Sequence, residues 1–212
     1  IRIGLRLSKD ETIVRMPFEV RHMGSKYPIF SFDFTGAKRG VLPASYDYLR
    51  LEGRMQYRLN LPPIGYSQLM LEGGKIFGKV PYLLLKLHEG NGTYFYDRYA
   101  FSCMNFYEFS SDAWISFFYE HHFNGFLLGR VPLLKKLNWR EVFVFKGVYG
   151  TLSARNDGSL PNTKAVMLFP VGMSSVEHPY LETGFGIENI FRLLRVDCIW
   201  RLTHHRAVPG LS

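Results

Sequence analysis

Three consecutive residues, Glu120, His121 and His122, carry the side chains best suited to bind a metal ion. They lie in a segment that we predict to be a β-strand, where adjacent side chains point to opposite faces, so at most two of the three could reach one ion. The two cysteines, Cys103 and Cys198, have neither the spacing of a metal site nor the number needed for a disulfide framework. We therefore predict no metal site and two free thiols.

A lipid hydrolase would need a serine, a histidine and a polar group that orients the histidine, all on one face of the protein. His121 alternates with Phe117 and Tyr119 and should lie on their apolar side, but no Gly-x-Ser-x-Gly motif singles out a nucleophile. The pair Gly73-Gly74 before a lysine lacks the spacing of a phosphate-binding loop. We predict that the chain is not an enzyme and uses no cofactor.

The formal net charge of +8 raises the question of a nucleic-acid partner. The 26 lysines and arginines are scattered singly, however, and the densest group is Lys135, Lys136 and Arg140. Nucleic-acid proteins concentrate their positive charge in a patch, a stripe or a known motif. The sequence therefore predicts no nucleic-acid partner.

Composition indicates an all-β protein. Aromatic residues make up 16% of the 212 residues, beside 20 glycines and 11 prolines, a mixture that favours strands and turns. No segment approaches the roughly 18 consecutive apolar residues of a membrane-spanning helix. The strands of a transmembrane β-barrel would escape that test, because their side chains face lipid and lumen in alternation.

The clearest strand is predicted over residues 45–59, where apolar and polar side chains alternate for 15 residues. The polar face carries Arg50, Glu52, Arg54, Gln56 and Arg58, and the opposite face carries Leu49, Leu51, Gly53, Met55, Tyr57 and Leu59. Strands of soluble proteins are usually about five or six residues long, whereas a tilted barrel strand is longer. We predict that the polar ladder faces a lumen and that the apolar side faces lipid.

The same period predicts nine strands, namely 1–7, 12–21, 27–34, 45–59, 64–76, 112–123, 138–151, 181–190 and 194–204. Apart from a tight first turn, compact links alternate with the longer links 36–44, 77–111 and 152–180, as in outer-membrane barrels with one short-turn rim and one long-loop rim. Local helix is predicted only at 131–137 and 81–88. From the two ends, which begin and stop within strand-like patterns, we expect a fragment that forms an open antiparallel sheet.

Several segments of the second half resemble the last strands of the BamA/TamA-type bacterial surface-antigen barrel superfamily. They are SDAWISFFYEHHF (111–123), REVFVFKG (140–147), GFGIEN (184–189) and LRVD (194–197). More narrowly, residues 71–112 and 179–205 resemble Gram-negative outer-membrane proteins of unknown function that join a carboxypeptidase-like regulatory domain to such a barrel. The resemblance covers the chain from about Tyr27 onward. It implies a partial barrel domain over 1–212, supplying later strands of an approximately sixteen-stranded barrel but not the last.

Members of this superfamily insert outer-membrane proteins or secrete partner proteins, and they have no catalytic centre. The resemblance therefore implies a role in membrane-protein assembly or protein transport in the bacterial outer membrane. Its partners would be outer-membrane lipid, and a translocated protein substrate or a periplasmic protein. Two interpretations stay open beside this one: a structural anchor, surface receptor or passive pore, and a soluble β-rich binding domain.

The superfamily folds a long extracellular loop into the lumen, where a Val-Arg-Gly-Phe/Tyr motif meets acidic residues of the following strands. The loop 77–111 occupies that place, and its nearest match is Asp97-Arg98-Tyr99, which lacks the glycine. The resemblance implies that Arg98 pairs with Glu120. Lys146 stands where the superfamily has aspartate, so we expect it to pair with Asp97 or Glu120. An outward cap, whose aromatic side chains bind a partner at the cell surface, is the alternative.

Overall fold

A computed structural model describes residues 1–40, 46–93, 95–157, 170 and 172–205. Residue 45, at the predicted start of a strand, lies outside these ranges, as do residues 158–169 and 171 of the predicted link 152–180. The strands are β1 (Arg2–Leu7), β2 (Glu11–Arg15), β3 (Val20–Ser25), β4 (Ile29–Ala37), β5 (Tyr48–Asn60), β6 (Tyr66–Gly78), β7 (Lys86–Leu87), β8 (Phe109–Ser111), β9 (Ala113–His122), β10 (Arg140–Thr151), β11 (Ser174–Ser175), β12 (Tyr180–Ile190) and β13 (Leu194–Arg201).

Eight of these strands form one antiparallel sheet in the order β1-β4-β5-β6-β9-β10-β12-β13. β5 and β6 are the longest, with 13 residues each, and pair along their whole length from Tyr48 opposite Gly78 to Asn60 opposite Tyr66. The predicted all-β class is confirmed. The predicted open arrangement also agrees with this order, in which β1 and β13 are the two end strands.

The prediction of a single strand over 12–21 was wrong, because the chain turns back there. β2 and β3 form a small separate hairpin, closed by hydrogen bonds between the backbones of Met16 and Glu19. Pro17 lies at the second position of this turn, where its fixed φ angle favours a reversal over a continuous strand. The alternating polarity on both sides of the turn concealed it.

The two predicted helical segments are shorter than expected. Within 131–137 the structure has one turn of α-helix, α1 (Pro132–Lys135), preceded by a 3₁₀ turn at Leu128–Arg130. Within 81–88 it has a 3₁₀ turn at Tyr82–Leu84, and the chain then enters β7. Among the described residues, no helix is long and apolar enough to cross a membrane.

One face of the large sheet is covered by the loop between β6 and β9, and we call it the covered face. The core lies between this loop and the sheet, in two clusters. The larger cluster contains Met70, Phe101, Met104, Phe109, Phe118, Val148, Val176 and Tyr180. The smaller contains Ile76, Val80, Leu85 and Trp114. The aromatic residues of the loop thus find their apolar environment on the sheet itself.

The opposite face, which we call the open face, is apolar and exposed on all eight strands. Its exposed side chains are Ile3, Leu5, Leu7, Phe30, Phe32, Phe34, Leu49, Leu59, Phe77, Ile115, Tyr149, Phe185, Leu194, Val196 and Trp200. Soluble monomers rarely expose apolar patches beyond a few hundred Å². A face of this extent needs an apolar environment.

Candidate functional site

The polar ladder predicted on β5 lies on the covered face. Arg54 donates to the Glu72 carboxylate at 2.7 Å, and Arg50 to Glu52 at 2.7 Å. The Arg58 guanidinium lies over the Tyr66 ring at 4.1 Å, and the Gln56 amide contacts the Met70 sulfur at 3.7 Å. The ladder is thus largely paired with neighbours on the same face.

The covered face also collects charge on the later strands, through the register of the sheet. Glu120 opposes Val144, Lys146 opposes Glu182, and Glu182 opposes Arg201. Residues directly opposite in an antiparallel pair project from the same side. The sheet therefore presents alternating positive and negative side chains to the loop.

Glu120 is the centre of the first charge cluster and is only 1% exposed. Arg98 of the loop donates its Nε to Glu120 Oε2 at 2.7 Å, while Arg195 of β13 contacts the other carboxylate oxygen. Nε2 of His122 lies 3.4 Å from the same carboxylate, and its Nδ1 lies 3.1 Å from Glu188. The expected approach of Arg98 to Glu120 is present, and it fastens the loop to β9.

Lys146 is the centre of the second cluster and is also 1% exposed. Its ammonium donates to the backbone carbonyl of Asp97 at 2.9 Å, to the carbonyl of Ala100, and to the Ser102 hydroxyl at 3.5 Å. The Tyr96 ring lies 4.7 Å from the ammonium. Lys146 thus anchors the loop through its backbone.

The expectation that Lys146 pairs with the side chain of Asp97 or Glu120 was therefore wrong. Asp97 uses its carboxylate to accept the Tyr99 N–H at 2.9 Å, and Tyr99 packs edge-on against Phe118. Within the described residues, Glu120 forms its ion pairs with Arg98, Arg195 and His122. Lys146 instead satisfies carbonyls that the loop would otherwise bury without a donor.

Two further anchors were missed by the sequence analysis. Glu182, fully buried, accepts the backbone N–H groups of Ser102 at 2.9 Å and Cys103 at 2.7 Å, and the Tyr180 hydroxyl at 2.5 Å. Arg201 donates to Glu108 at 2.5 Å. The signal that could have found them was the alternation of β12 and β13, which sets both residues on the side of Lys146.

A glycine of β12 makes room for part of this network. A Cβ added at Gly186 would lie 2.1 Å from Asp197 Oδ1. Asp197 in turn accepts the Arg195 Nε at 2.8 Å and so directs that guanidinium toward Glu120. Within the glycine-rich segment 184–189, the close approach of the Asp197 carboxylate therefore explains the glycine at position 186.

Burial shifts the ionisation of two loop residues. Desolvation, helped by the nearby Lys86 ammonium, lowers the pKa of His88 to about 3, and its Nε2 lies 2.9 Å from the Ser111 hydroxyl. Desolvation likewise raises the pKa of Tyr96, with the Glu120 carboxylate adding to the effect. Both side chains are neutral at pH 7, so the loop contributes few unpaired charges to its own interior.

A cavity of about 240 Å³ remains between the loop and the sheet. Its lining includes Arg54, Glu72, Lys86, His88 and Asp97. Lys86 and Arg54 both contact the Glu72 carboxylate, each at 2.7 Å, so the charges around the cavity are mostly matched. Among the described residues, no group of three or more His, Cys, Asp and Glu side chains could hold a metal ion.

His121 lies on the open face, as the alternation predicts, and a hydrogen-bonded serine that the sequence analysis did not identify lies beside it. Ser67 Oγ is 2.8 Å from His121 Nδ1 and 3.0 Å from the Tyr119 hydroxyl, while His121 Nε2 is 3.0 Å from the Ile64 carbonyl. Ser67 is only 4% exposed, so a substrate carbonyl could not reach its hydroxyl. These polar groups thus hydrogen-bond to one another on a face that is otherwise mainly apolar.

Comparison with known proteins identifies a family. Residues 1–154 match the family described as the C-terminal domain of a family of unknown function, DUF5686. No curated protein matches the chain. Since the match spans β1 to β10 and well over half of the 212 residues, the chain belongs to the DUF5686 family and carries its C-terminal domain.

Proposed function

We propose that the chain forms part of a transmembrane β-barrel in the bacterial outer membrane, with the open face toward lipid and the covered face toward the lumen. The observation that carries this proposal is the exposed apolar surface across all eight strands. Phe185 is 58% exposed, Val196 57% and Trp200 53%, far from any core. Lipid is the environment in which such side chains are stable.

Strand length supports the same assignment. A tilted barrel strand needs about 9–11 residues to cross the hydrocarbon core. β5 and β6 have 13, β10 has 12 and β12 has 11. In the proposed barrel of about sixteen strands, β1 and β13 would pair with further strands, because a lipid-exposed sheet edge leaves backbone groups without hydrogen bonds.

We propose further that the barrel serves membrane-protein assembly or protein translocation, as its resemblance to the surface-antigen superfamily suggests. The loop supports this role, because it lies inside the proposed lumen and polar contacts hold it at several points. Its anchors are Arg98 to Glu120, Lys146 to loop carbonyls, Glu182 to loop amides, and Arg201 to Glu108. In a water-filled lumen, such contacts can break and form again.

A second candidate is a structural anchor, a surface receptor or a passive pore. The four polar anchors of the loop favour this second candidate, because a loop held at four sites could serve as a permanent plug. The departures from the superfamily motif, a missing glycine beside Arg98 and a lysine at 146, also favour it. A soluble binding domain is disfavoured by the open face.

The test uses cells that express the intact protein with Arg98→Ala or Glu120→Ala. If the loop takes part in assembly or translocation, both variants should reach the outer membrane while the amounts of other outer-membrane or secreted proteins change. Glu89→Ala, at an exposed loop carboxylate, is the matched control. Normal amounts in both variants would defeat the assembly role and leave the anchor, receptor or pore.

A further inference from the structure

A basic cavity lies at the end of the sheet where the short connections meet, which we call the tight rim. The cavity measures about 450 Å³ and lies between the β9–β10 link and the β12–β13 turn. Three of its lining residues are cationic, Lys135, Arg140 and Arg192, and the other polar groups are mainly asparagine amides. Among the described residues that line it, none is acidic.

These cations are paired differently from those of the covered face. Arg54, Arg98, Arg195 and Arg201 all contact carboxylates at hydrogen-bond distance. Within the described part of the chain, by contrast, no ion pair or side-chain hydrogen bond is made by Lys135, Arg140 or Arg192. The cavity therefore offers positive charge to an anion, chiefly from Lys135 and Arg192, because Glu188 opposes Arg140 in the sheet.

Exposed apolar side chains belong to the same two connections. Phe191 is 80% exposed and Leu193 89%, and both belong to the turn that carries Arg192. Leu127, Val131 and Leu137 of the other link are each more than 40% exposed. Exposed apolar side chains and cations thus occur together in these two connections.

We propose that the tight rim binds an anionic phospholipid, with the headgroup phosphate in the basic cavity and the acyl chains against the exposed apolar residues. The phosphate of such a lipid suits the cations of the rim, and its acyl chains suit the apolar side chains. Free phosphate would contact the cations but not the apolar side chains, so the lipid is the better fit. This inference rests on the proposed membrane location, and it adds a specific lipid site to the general contact of the open face with the bilayer.

The test places the intact protein in nanodiscs of phosphatidylcholine with a small fraction of phosphatidylglycerol and counts retained lipids by native mass spectrometry. The wild type should retain phosphatidylglycerol preferentially. Each cation near an anionic lipid contributes favourably to the binding free energy. The double variant Lys135→Gln with Arg192→Gln should therefore reduce that preference about tenfold. The charge-conserving pair Lys135→Arg with Arg192→Lys should keep it.

The matched control is Lys38→Gln with Arg155→Gln, which removes two exposed cations at the opposite end of the sheet. It should leave the preference unchanged. An equal loss in this control, an unchanged preference in the rim variant, or displacement of the lipid by inorganic phosphate would overturn the lipid site while the barrel stands. Failure of the wild type to enter nanodiscs of either lipid would overturn both the barrel and the lipid site.

Discussion

The two faces of the large sheet differ in where they put their polar groups. On the covered face, buried charges such as Glu120, Lys146 and Glu182 each have several partners. On the open face, apolar side chains such as Phe185 and Trp200 lie exposed. Soluble proteins use the opposite arrangement, with apolar side chains inside and charges outside. This distribution is the basis for our proposal that lipid lies on one side of the sheet and a polar interior on the other.

The loop belongs to the covered face in its chemistry as well as its position. Phe101, Phe109 and Met104 enter the core, while its backbone carbonyls and amides bind Lys146 and Glu182. The sheet therefore holds the loop by apolar packing and by polar anchors. If the covered face is the lumen of a barrel, breaking those anchors should open the loop without removing the chain from the membrane.

Removing the carboxylate at the centre of the covered face should have a large effect. In Glu120→Ala, Arg98, Arg195 and His122 lose their shared partner, and a broken buried ion pair costs about 3–5 kcal/mol. Since both arginines keep some exposure, we expect a loss of about 3 kcal/mol in the free energy of unfolding. Urea unfolding of the intact protein in lipid vesicles measures it. Glu89→Ala should change it by less than about 0.5 kcal/mol, and equal effects would contradict the network.

A charge on the open face should cost more at mid-height than near an end. Met55 lies at the middle of β5, opposite Leu71, whereas Leu51 lies opposite Lys75, nearer the long-loop end. We expect Met55→Arg to lower the free energy of unfolding by about 2–4 kcal/mol and Leu51→Arg by less. Gln56→Arg, on the covered face of the same strand, is the control and should be nearly neutral. Equal costs for all three in vesicles would argue against lipid on the open face.

The anchor at Glu182 should respond to a change that preserves its size. In Glu182→Gln, the new amide can accept fewer of the N–H groups of Ser102 and Cys103, and a buried unsatisfied group costs about 1–3 kcal/mol. Hydrogen exchange at those two amides should become faster, while exchange in β5 stays slow. Unchanged protection at residues 102 and 103 would mean that the carboxylate does not hold the loop.

Acidification should loosen the loop through His88. Its pKa of about 3 in the folded protein lies below the ordinary value of 6.5, so below pH 6.5 only the unfolded state takes up the proton. Stability is unaffected above pH 6.5 and falls as the pH drops toward 3, by about 2 kcal/mol at pH 5. His88→Gln cannot titrate, so the urea midpoint of the wild type should fall further between pH 7 and pH 5 than that of the variant. Identical falls would contradict the burial of a neutral His88.

Much of the fold could be predicted from the sequence because most strands alternate cleanly. The bounds predicted for the strands at 194–204 and 45–59 agree with the structure to within a few residues. The reason is that apolar side chains lie on one face of these strands and mostly polar side chains on the other. The hairpin at Met16–Glu19 was missed because the alternation continues on both sides of the turn. Local pattern alone cannot distinguish a long strand from two short ones.

The site was predicted less completely, for a different reason. The approach of Arg98 to Glu120 followed from a resemblance together with the alternation of β9. The carbonyl contacts of Lys146 and the amide contacts of Glu182 depend on the backbone path of the loop, which no side-chain pattern encodes. Ser67 meets His121 only through the pairing of β6 with β9, which brings together residues 54 positions apart.

The most direct test of the two-faced sheet uses a native residue of the open face. Cys198 is exposed between Val196 and Trp200, so a spin label can be attached there in the intact Cys103→Ser protein in lipid vesicles. A label at Gln56→Cys, in a variant without Cys103 and Cys198, reports on the covered face. We expect oxygen, which dissolves in lipid, to relax the label at 198, and a water-soluble nickel chelate to relax the label at 56 more strongly. Strong relaxation of the label at 198 by the nickel chelate would contradict the assignment of the open face to lipid.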